Sequence, residues 1–255
     1  MPRALLWTTL VAVLLYLALC AALFVFQRAL LYFPQPRAVQ APESTLELPV
    51  AEGRLVVTVR PRPGADALLY FGGNAEDVSM NLEQLAGAFP DHALYLMHYP
   101  GYGGSSGEPG EALILHDAQR LFDHIHAEHP RVAVVGRSLA SGVAVQLASQ
   151  RPVSRLVLIT PYDSIENVAA GRFPWAPVRW LLKDRYRSAD VAGALRVPTL
   201  LMLAGDDQVI PRDSSERLAA AFAPGMARLE VLAGAGHNDI SLHPRYLALL
   251  GEALR

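Results

Sequence analysis

The sequence has little cysteine, little lysine and no clustered charge, and each shortage excludes something. Cys20 is the only cysteine among 255 residues, so no disulfide can form within the chain and cysteine usage leaves the redox compartment open. Lys183 is the only lysine among 22 basic residues, which are scattered against 24 acidic ones for a net charge of -2. A nucleic-acid footprint needs a basic patch or stripe, so no nucleic-acid partner is expected. No repeat and no low-complexity segment occurs, which excludes solenoids and disordered tracts. Of the eight histidines, His124 and His126 fall on different faces of the helix expected there. His126 and His129 share a face with Asp123, but that row fits no metal motif and reads as a solvated helix face, so no metal is expected.

Charge is also missing from one long stretch. Ala4 to Phe26 carries none, and a helix of that length spans about 34 Å, enough to cross a hydrocarbon core of about 30 Å. A cleavable signal peptide has a shorter apolar stretch and a more basic start. A lipoprotein site at Cys20 would want a small residue where Leu19 stands, and a buried core helix would have to be apolar all round. The reading is an uncleaved single-pass anchor over residues 1–28, followed by a juxtamembrane linker over 29–48 in which Pro34 and Pro36 stop any helix. Arg3 faces Arg28 and Arg37, a balance too even to set an orientation by the positive-inside rule.

Beyond the anchor, apolar runs of strand length alternate with helical patterns. LVVTV (55–59), ALLYF (67–71), ALYLM (93–97), RVAVVG (131–136), RLVLIT (155–160), PTLLMLAG (198–205) and RLEVLAG (228–234) read as strands. Helices are expected over Glu111–Glu128, Leu139–Gln150, Ser214–Ala223 and Pro244–Leu254. Near-continuous apolar strands separated by helices predict an α/β domain over 49–255, built on a mostly parallel sheet buried on both faces. Ligands of such sheets bind outside the carboxyl ends of the strands.

Three of those ends carry chemistry. Gly136-Arg137-Ser138-Leu139-Ala140 lies between an apolar strand and a helix, the setting of a nucleophile elbow whose sharp turn needs small flanking residues. Alanine stands at Ala140 where a second glycine is usual. A hydroxyl needs a base, and the base an orienting acid. The strand ending at Gly205 is followed by Asp206 and Asp207, and the last strand by His237. Asp207 is preferred as the acid because it lies further out on its loop, with Val209-Ile210-Pro211 behind it. Asp206 and Asp163 remain alternatives. Backbone amides for a developing oxyanion are assigned to Leu139, after the nucleophile, and Asn74, in the glycine turn after ALLYF.

Four stretches then carry a family resemblance: Phe71-Gly-Gly-Asn-Ala-Glu-Asp77, Tyr99 to Pro109 (YPGYGGSSGEP), Gly136 to Ala140, and Gly234-Ala-Gly-His-Asn-Asp239. Together they resemble the membrane-anchored α/β-hydrolase-domain proteins, which include animal depalmitoylases, fungal polarity-related hydrolases and bacterial members. The likeness runs along nearly the whole chain. It implies the α/β-hydrolase fold and a Ser-Asp-His hydrolase without metal or organic cofactor, with nucleophile Ser138, acid Asp207, base His237 and oxyanion donors Asn74 and Leu139. Many relatives have His-Gly-Asn-Ala where this chain has Gly72-Gly73-Asn74-Ala75; the backbone donor survives that change. The loop Tyr99–Pro109 is expected to help wall the site. A cap is expected over about 163–190, its Phe173, Trp175 and Trp180 forming either an acyl pocket or ordinary core. The expected substrate is an acyl ester or thioester, lipid-like given the anchor. The alternatives are a prolyl-oligopeptidase-like peptidase or amidase and a non-catalytic, membrane-tethered binding module.

Overall fold

Runs rich in valine, leucine and tyrosine lose little by extending and gain by burying both faces, and they form the sheet. The computed structural model describes residues 2–64 and 66–254, so Met1 and Arg255, the outermost residues of the expected anchor and domain, lie outside it. Its strands are β1 (Thr45–Val50), β2 (Gly53–Arg60), β3 (Asp66–Phe71), β4 (Ala93–Met97), β5 (Arg131–Arg137), β6 (Arg155–Ile159), β7 (Thr199–Ala204) and β8 (Ala227–Leu232). They lie in the order β1-β2-β4-β3-β5-β6-β7-β8. The β1–β2 and β2–β4 pairs are antiparallel and all the others parallel. The fold is therefore α/β with the expected mostly parallel sheet.

Side chains alternate across it. Leu69 and Phe71 join the core on one face of β3, and Leu68 and Tyr70 join the core on the other. The helices are α1 (Pro2–Leu31), α2 (Leu82–Ala88), α3 (Glu111–Glu128), α4 (Leu139–Ala148), α5 (Ile165–Arg172), α6 (Val178–Leu181), α7 (Ser188–Ala192), α8 (Arg212–Ala221) and α9 (Tyr246–Ala253). The four helices expected in the domain are all present, α3 with its expected ends. Helix α1, over Arg3–Leu31, is long and apolar enough to cross a membrane, and most of it is exposed.

Two expectations need correction. Strand β1 begins inside the segment read as linker, because Leu46, Leu48 and Val50 turn inward in alternation while Glu47 and Pro49 stay exposed. A proline is tolerated there because β1 is the edge strand. The stretch before it packs on the domain: Phe33 N–H donates to the Asn74 carbonyl (3.0 Å), and Ala38 N–H to Asp77 (2.7 Å). The face of α3 with Asp123, His126 and His129 is not simply solvated. His129 is buried, donating through Nδ1 to the Gly64 carbonyl (2.9 Å) and accepting from the Tyr95 hydroxyl (3.2 Å).

Candidate active site

The centre of the sheet delivers Ser138. Strand β5 runs between β3 and β6, and its last residues leave it in a turn so tight that Ser138 takes φ 52° and ψ -118° before α4 begins. A non-glycine residue at positive φ is strained, and such strain collects at functional positions. The turn explains Gly136, because a Cβ there would lie 2.4 Å from the Ala140 carbonyl oxygen. Ala140 itself is fully buried, so a methyl fits where the second glycine is usual.

The loops after β7 and β8 bring the partners. Ser138 Oγ lies 2.8 Å from His237 Nε2. His237 Nδ1 lies 2.8 and 3.1 Å from the two Asp207 carboxylate oxygens. A carboxylate can only accept, so Nδ1 carries the proton and Nε2 is left to accept from the serine hydroxyl. Asp207 also accepts from the amides of Val209 and Ile210, each at 2.8 Å. Burial pushes the Asp207 carboxyl up, but His237 and those two amides outweigh it and hold its pKa below the ordinary carboxylate range. The structure thus joins Ser138, His237 and Asp207 in one hydrogen-bonded chain.

Neither alternative acid is hydrogen-bonded to His237. Asp163 is buried and accepts from Ser214 Oγ (2.6 Å), Ser164 N–H (2.8 Å), Asn167 (2.9 Å) and Arg217 (2.8 Å). Asp206 is exposed, and its own amide donates to the Ala235 carbonyl at 2.9 Å.

Asn74 and Leu139 line one cavity together with Ser138 and His237. A Cβ built on Gly73 would stand 3.7 Å from the Ser138 Cβ, so the glycine turn passes directly beside the serine. Among the described residues, neither the Asn74 nor the Leu139 amide meets an acceptor. The Asn74 carbonyl accepts from the Tyr102 hydroxyl (2.6 Å), and the Gly72 carbonyl from the Tyr99 hydroxyl (2.7 Å). The Tyr99–Pro109 loop therefore braces the glycine turn from behind and does not line the cavity.

Glu76 had no role assigned from sequence. One carboxylate oxygen accepts from the Tyr70 hydroxyl (2.7 Å) and Asn81 (2.6 Å), the other from Gly73 N–H (2.7 Å) and Arg137 (3.3 Å). Arg137 also donates to the Asn238 carbonyl at 2.9 Å. Glu76 and Arg137 thus tie together the glycine turn, the serine turn and the histidine loop. Glu76, two residues after Asn74, and Arg137, beside Ser138, each lie inside a motif, and that was the signal available in sequence.

The cavity measures about 500 Å³. Ile165, Val168, Phe173 and Leu181 of the 163–190 insert line it, facing Leu23 and Leu30 of α1. Trp175 and Trp180 take neither expected role, since both are exposed and neither lines the cavity. Among the described residues no cluster of metal-ligating side chains occurs.

An eight-stranded sheet in this order, with a strained serine at the end of β5 and its acid and histidine after β7 and β8, defines an α/β-hydrolase-fold protein. No family model matches the chain. Relatives do. An uncharacterised protein of Mycobacterium tuberculosis strain H37Rv is 37% identical over 237 residues, covering 85% of this chain and 82% of that one. The α/β-hydrolase domain-containing protein 17B of Xenopus tropicalis is 31% identical over 205 residues, covering 76% and 68%. The chain belongs to the α/β-hydrolase domain-containing family. Among solved structures, an esterase of Pyrococcus furiosus superposes with a TM-score of 0.69 at 14% identity, covering 87% of this chain and 98% of that one. The meta-cleavage product hydrolase of Pseudomonas fluorescens gives 0.64 at 17% identity, covering 83% and 98%.

Proposed function

We propose that the protein is a membrane-anchored serine hydrolase that cleaves acyl esters or thioesters through a covalent acyl-Ser138 intermediate. The observation that carries this reading is the Ser138–His237–Asp207 chain opening onto a cavity lined mainly by apolar side chains. His237 Nε2 takes the Ser138 proton as Oγ attacks the carbonyl, and the Asn74 and Leu139 amides receive the oxyanion. His237 then returns the proton to the leaving alcohol or thiol, and a water activated by the same imidazole releases the acid. Asp207 fixes the imidazole tautomer and stabilises the imidazolium. Every step uses side chains and backbone amides of the chain itself. The apolar cavity favours an acyl chain over a peptide, in keeping with the resemblance to depalmitoylases. Helix α1 supplies a single-pass anchor.

The test is labelling with a fluorophosphonate. Wild type is expected to label and Ser138→Ala to stay blank; equal labelling of both, or of neither, defeats the proposal. Esters of graded acyl length are expected to be cleaved in preference to aminoacyl amides, and the reverse order would make the protein a peptidase or amidase.

A further inference from the structure

Helix α1 does more than a tether requires. Tyr16, Cys20, Leu23, Gln27 and Leu31 recur every three or four residues and so share one face. On that face Cys20 is buried and Leu23, Gln27 and Leu31 half-buried, while most residues between them are exposed. This face meets the 163–190 cap. Gln27 donates to the Leu181 carbonyl (3.0 Å) and accepts from Lys183 N–H (2.6 Å), and Arg28 pairs with Asp184 (2.9 Å). Far nearer the N-terminus, the Tyr16 hydroxyl donates to the Trp175 carbonyl at 3.1 Å. The cap therefore runs beside α1 from Arg28 to Tyr16, about 18 Å along its axis.

The length of α1 sets how deep the cap must sit. A hydrocarbon core is about 30 Å thick. Arg3 bounds the apolar run, and Ala4 to Leu15, the part that stands clear of the cap, spans only about 18 Å. The missing ~12 Å must come from the stretch of α1 that the cap flanks. Tilting the helix enlarges the deficit. A bilayer thick enough to cover α1 therefore also covers the end of the cap.

The cap's surface suits that place. Phe173, Trp175 and Trp180 are 40%, 48% and 86% exposed, and such aromatics concentrate where membrane meets water. Lys183 lies over the Phe24 ring at 4.3 Å from its centre. Arg172 is exposed, lines the cavity and has no acidic partner among the described residues. Cations at such a level face lipid phosphates.

We propose that the Phe173–Trp180 end of the cap is immersed in the leaflet that α1 enters, and that the cavity draws its acyl chain from that leaflet through the cleft between α1 and the cap. The cleft is walled by Leu23 and Leu30 on one side and Phe173 and Leu181 on the other. The substrate class is then an acyl ester or thioester that stays in the bilayer while its carbonyl reaches Ser138. This inference rests on reading α1 as an anchor.

The sequence supplies its own probes, since its three tryptophans are Trp7, Trp175 and Trp180. Full-length Trp7→Phe and the double variant Trp175→Phe/Trp180→Phe are placed in phosphatidylcholine vesicles whose acyl chains are brominated near the headgroup. In Trp7→Phe, the cap tryptophans are expected to be quenched by bromolipid and shielded from aqueous iodide. In the double variant, Trp7 is expected to be quenched by bromolipid as well. Quenching of Trp7 by bromolipid, with the cap tryptophans open to iodide alone, overturns the proposal and leaves the anchor standing. No bromolipid quenching of either overturns the anchor and the proposal with it. A second measurement tests the route. Trp180→Glu is expected to hydrolyse a soluble butyrate ester at the wild-type rate and a vesicle-embedded long-chain ester about tenfold more slowly. Equal loss on both esters, or none on either, overturns the route. A wild type unlabelled by fluorophosphonate would defeat the hydrolase reading without altering the quenching result.

Discussion

Replacing Glu76 by glutamine changes one oxygen to an amide and removes a charge at the point where three loops meet. Glu76 and Arg137 have side chains only 14% and 15% exposed, so water does little to replace what is lost. If the new amide points toward Gly73 and Arg137, two donors face a third. If it points the other way, the conflict moves to Asn81 and the Tyr70 hydroxyl, and Arg137 still loses its counter-charge. A hydrogen bond to a charged group contributes about 1.5–3 kcal/mol, so Glu76→Gln is expected to lower stability by about 2 kcal/mol, read from the urea midpoint. Gly73 is the residue before Asn74, whose amide is the proposed oxyanion donor. Complete loss of such a donor costs about 10²–10³ in kcat, so a displaced one should cost about 10- to 100-fold. KM should move little, because the apolar residues that line the cavity, Leu23, Leu30, Ile165, Val168, Phe173 and Leu181, are untouched. The comparison is kcat and KM on a soluble ester beside the denaturation curve. A variant that loses stability but keeps its kcat would show that Glu76 merely braces the fold and does not position the oxyanion donor.

Asp207→Asn should leave Ser138 in place but favour the wrong imidazole tautomer, dropping kcat by about 10³–10⁴-fold; steady-state kinetics showing a loss below tenfold would remove Asp207 from its role. Gly136→Ala drives a methyl to within 2.4 Å of the Ala140 carbonyl, and overpacking of this kind costs about 1–3 kcal/mol. Its melting temperature and fluorophosphonate labelling are both expected to fall, and wild-type values of both would refute the account of the turn. Burial lowers the pKa of His98 to about 4 from 6.5, so the unfolded chain binds more protons here and stability falls as pH drops from about 6.5 toward 4. Linkage puts the loss between pH 7 and 5 at about 2 kcal/mol. His98→Gln should flatten the pH dependence of the urea midpoint by that amount, and an unchanged slope would contradict it.

Much of the protein was legible in the chain because local pattern carries it. Seven strands, four helices and the uncharged apolar run Ala4–Phe26 follow from residue pattern, which a single segment expresses by itself. The turn around Ser138 was equally local, since a small residue on each side of a serine between strand and helix is a steric demand of that turn. Strand β1 was missed because an edge strand buries one face only, and its short alternation is broken by Pro49.

Tertiary structure decided what depends on residues far apart in sequence. Sequence order left Asp163, Asp206 and Asp207 as possible acids. Only the packing shows Asp163 spent on Arg217, Ser214, Ser164 and Asn167, with Asp207 against His237. Glu76 and Arg137 gain their meaning the same way, from partners in loops that the sheet brings together. Helix α1 is the sharpest case. Its composition determined that it is long, apolar and uncharged over Ala4–Phe26. That one face of it closes the cavity above Ser138 could be learned only where the cap folds against it, because hydropathy is a property of a segment and a cavity wall is a property of two.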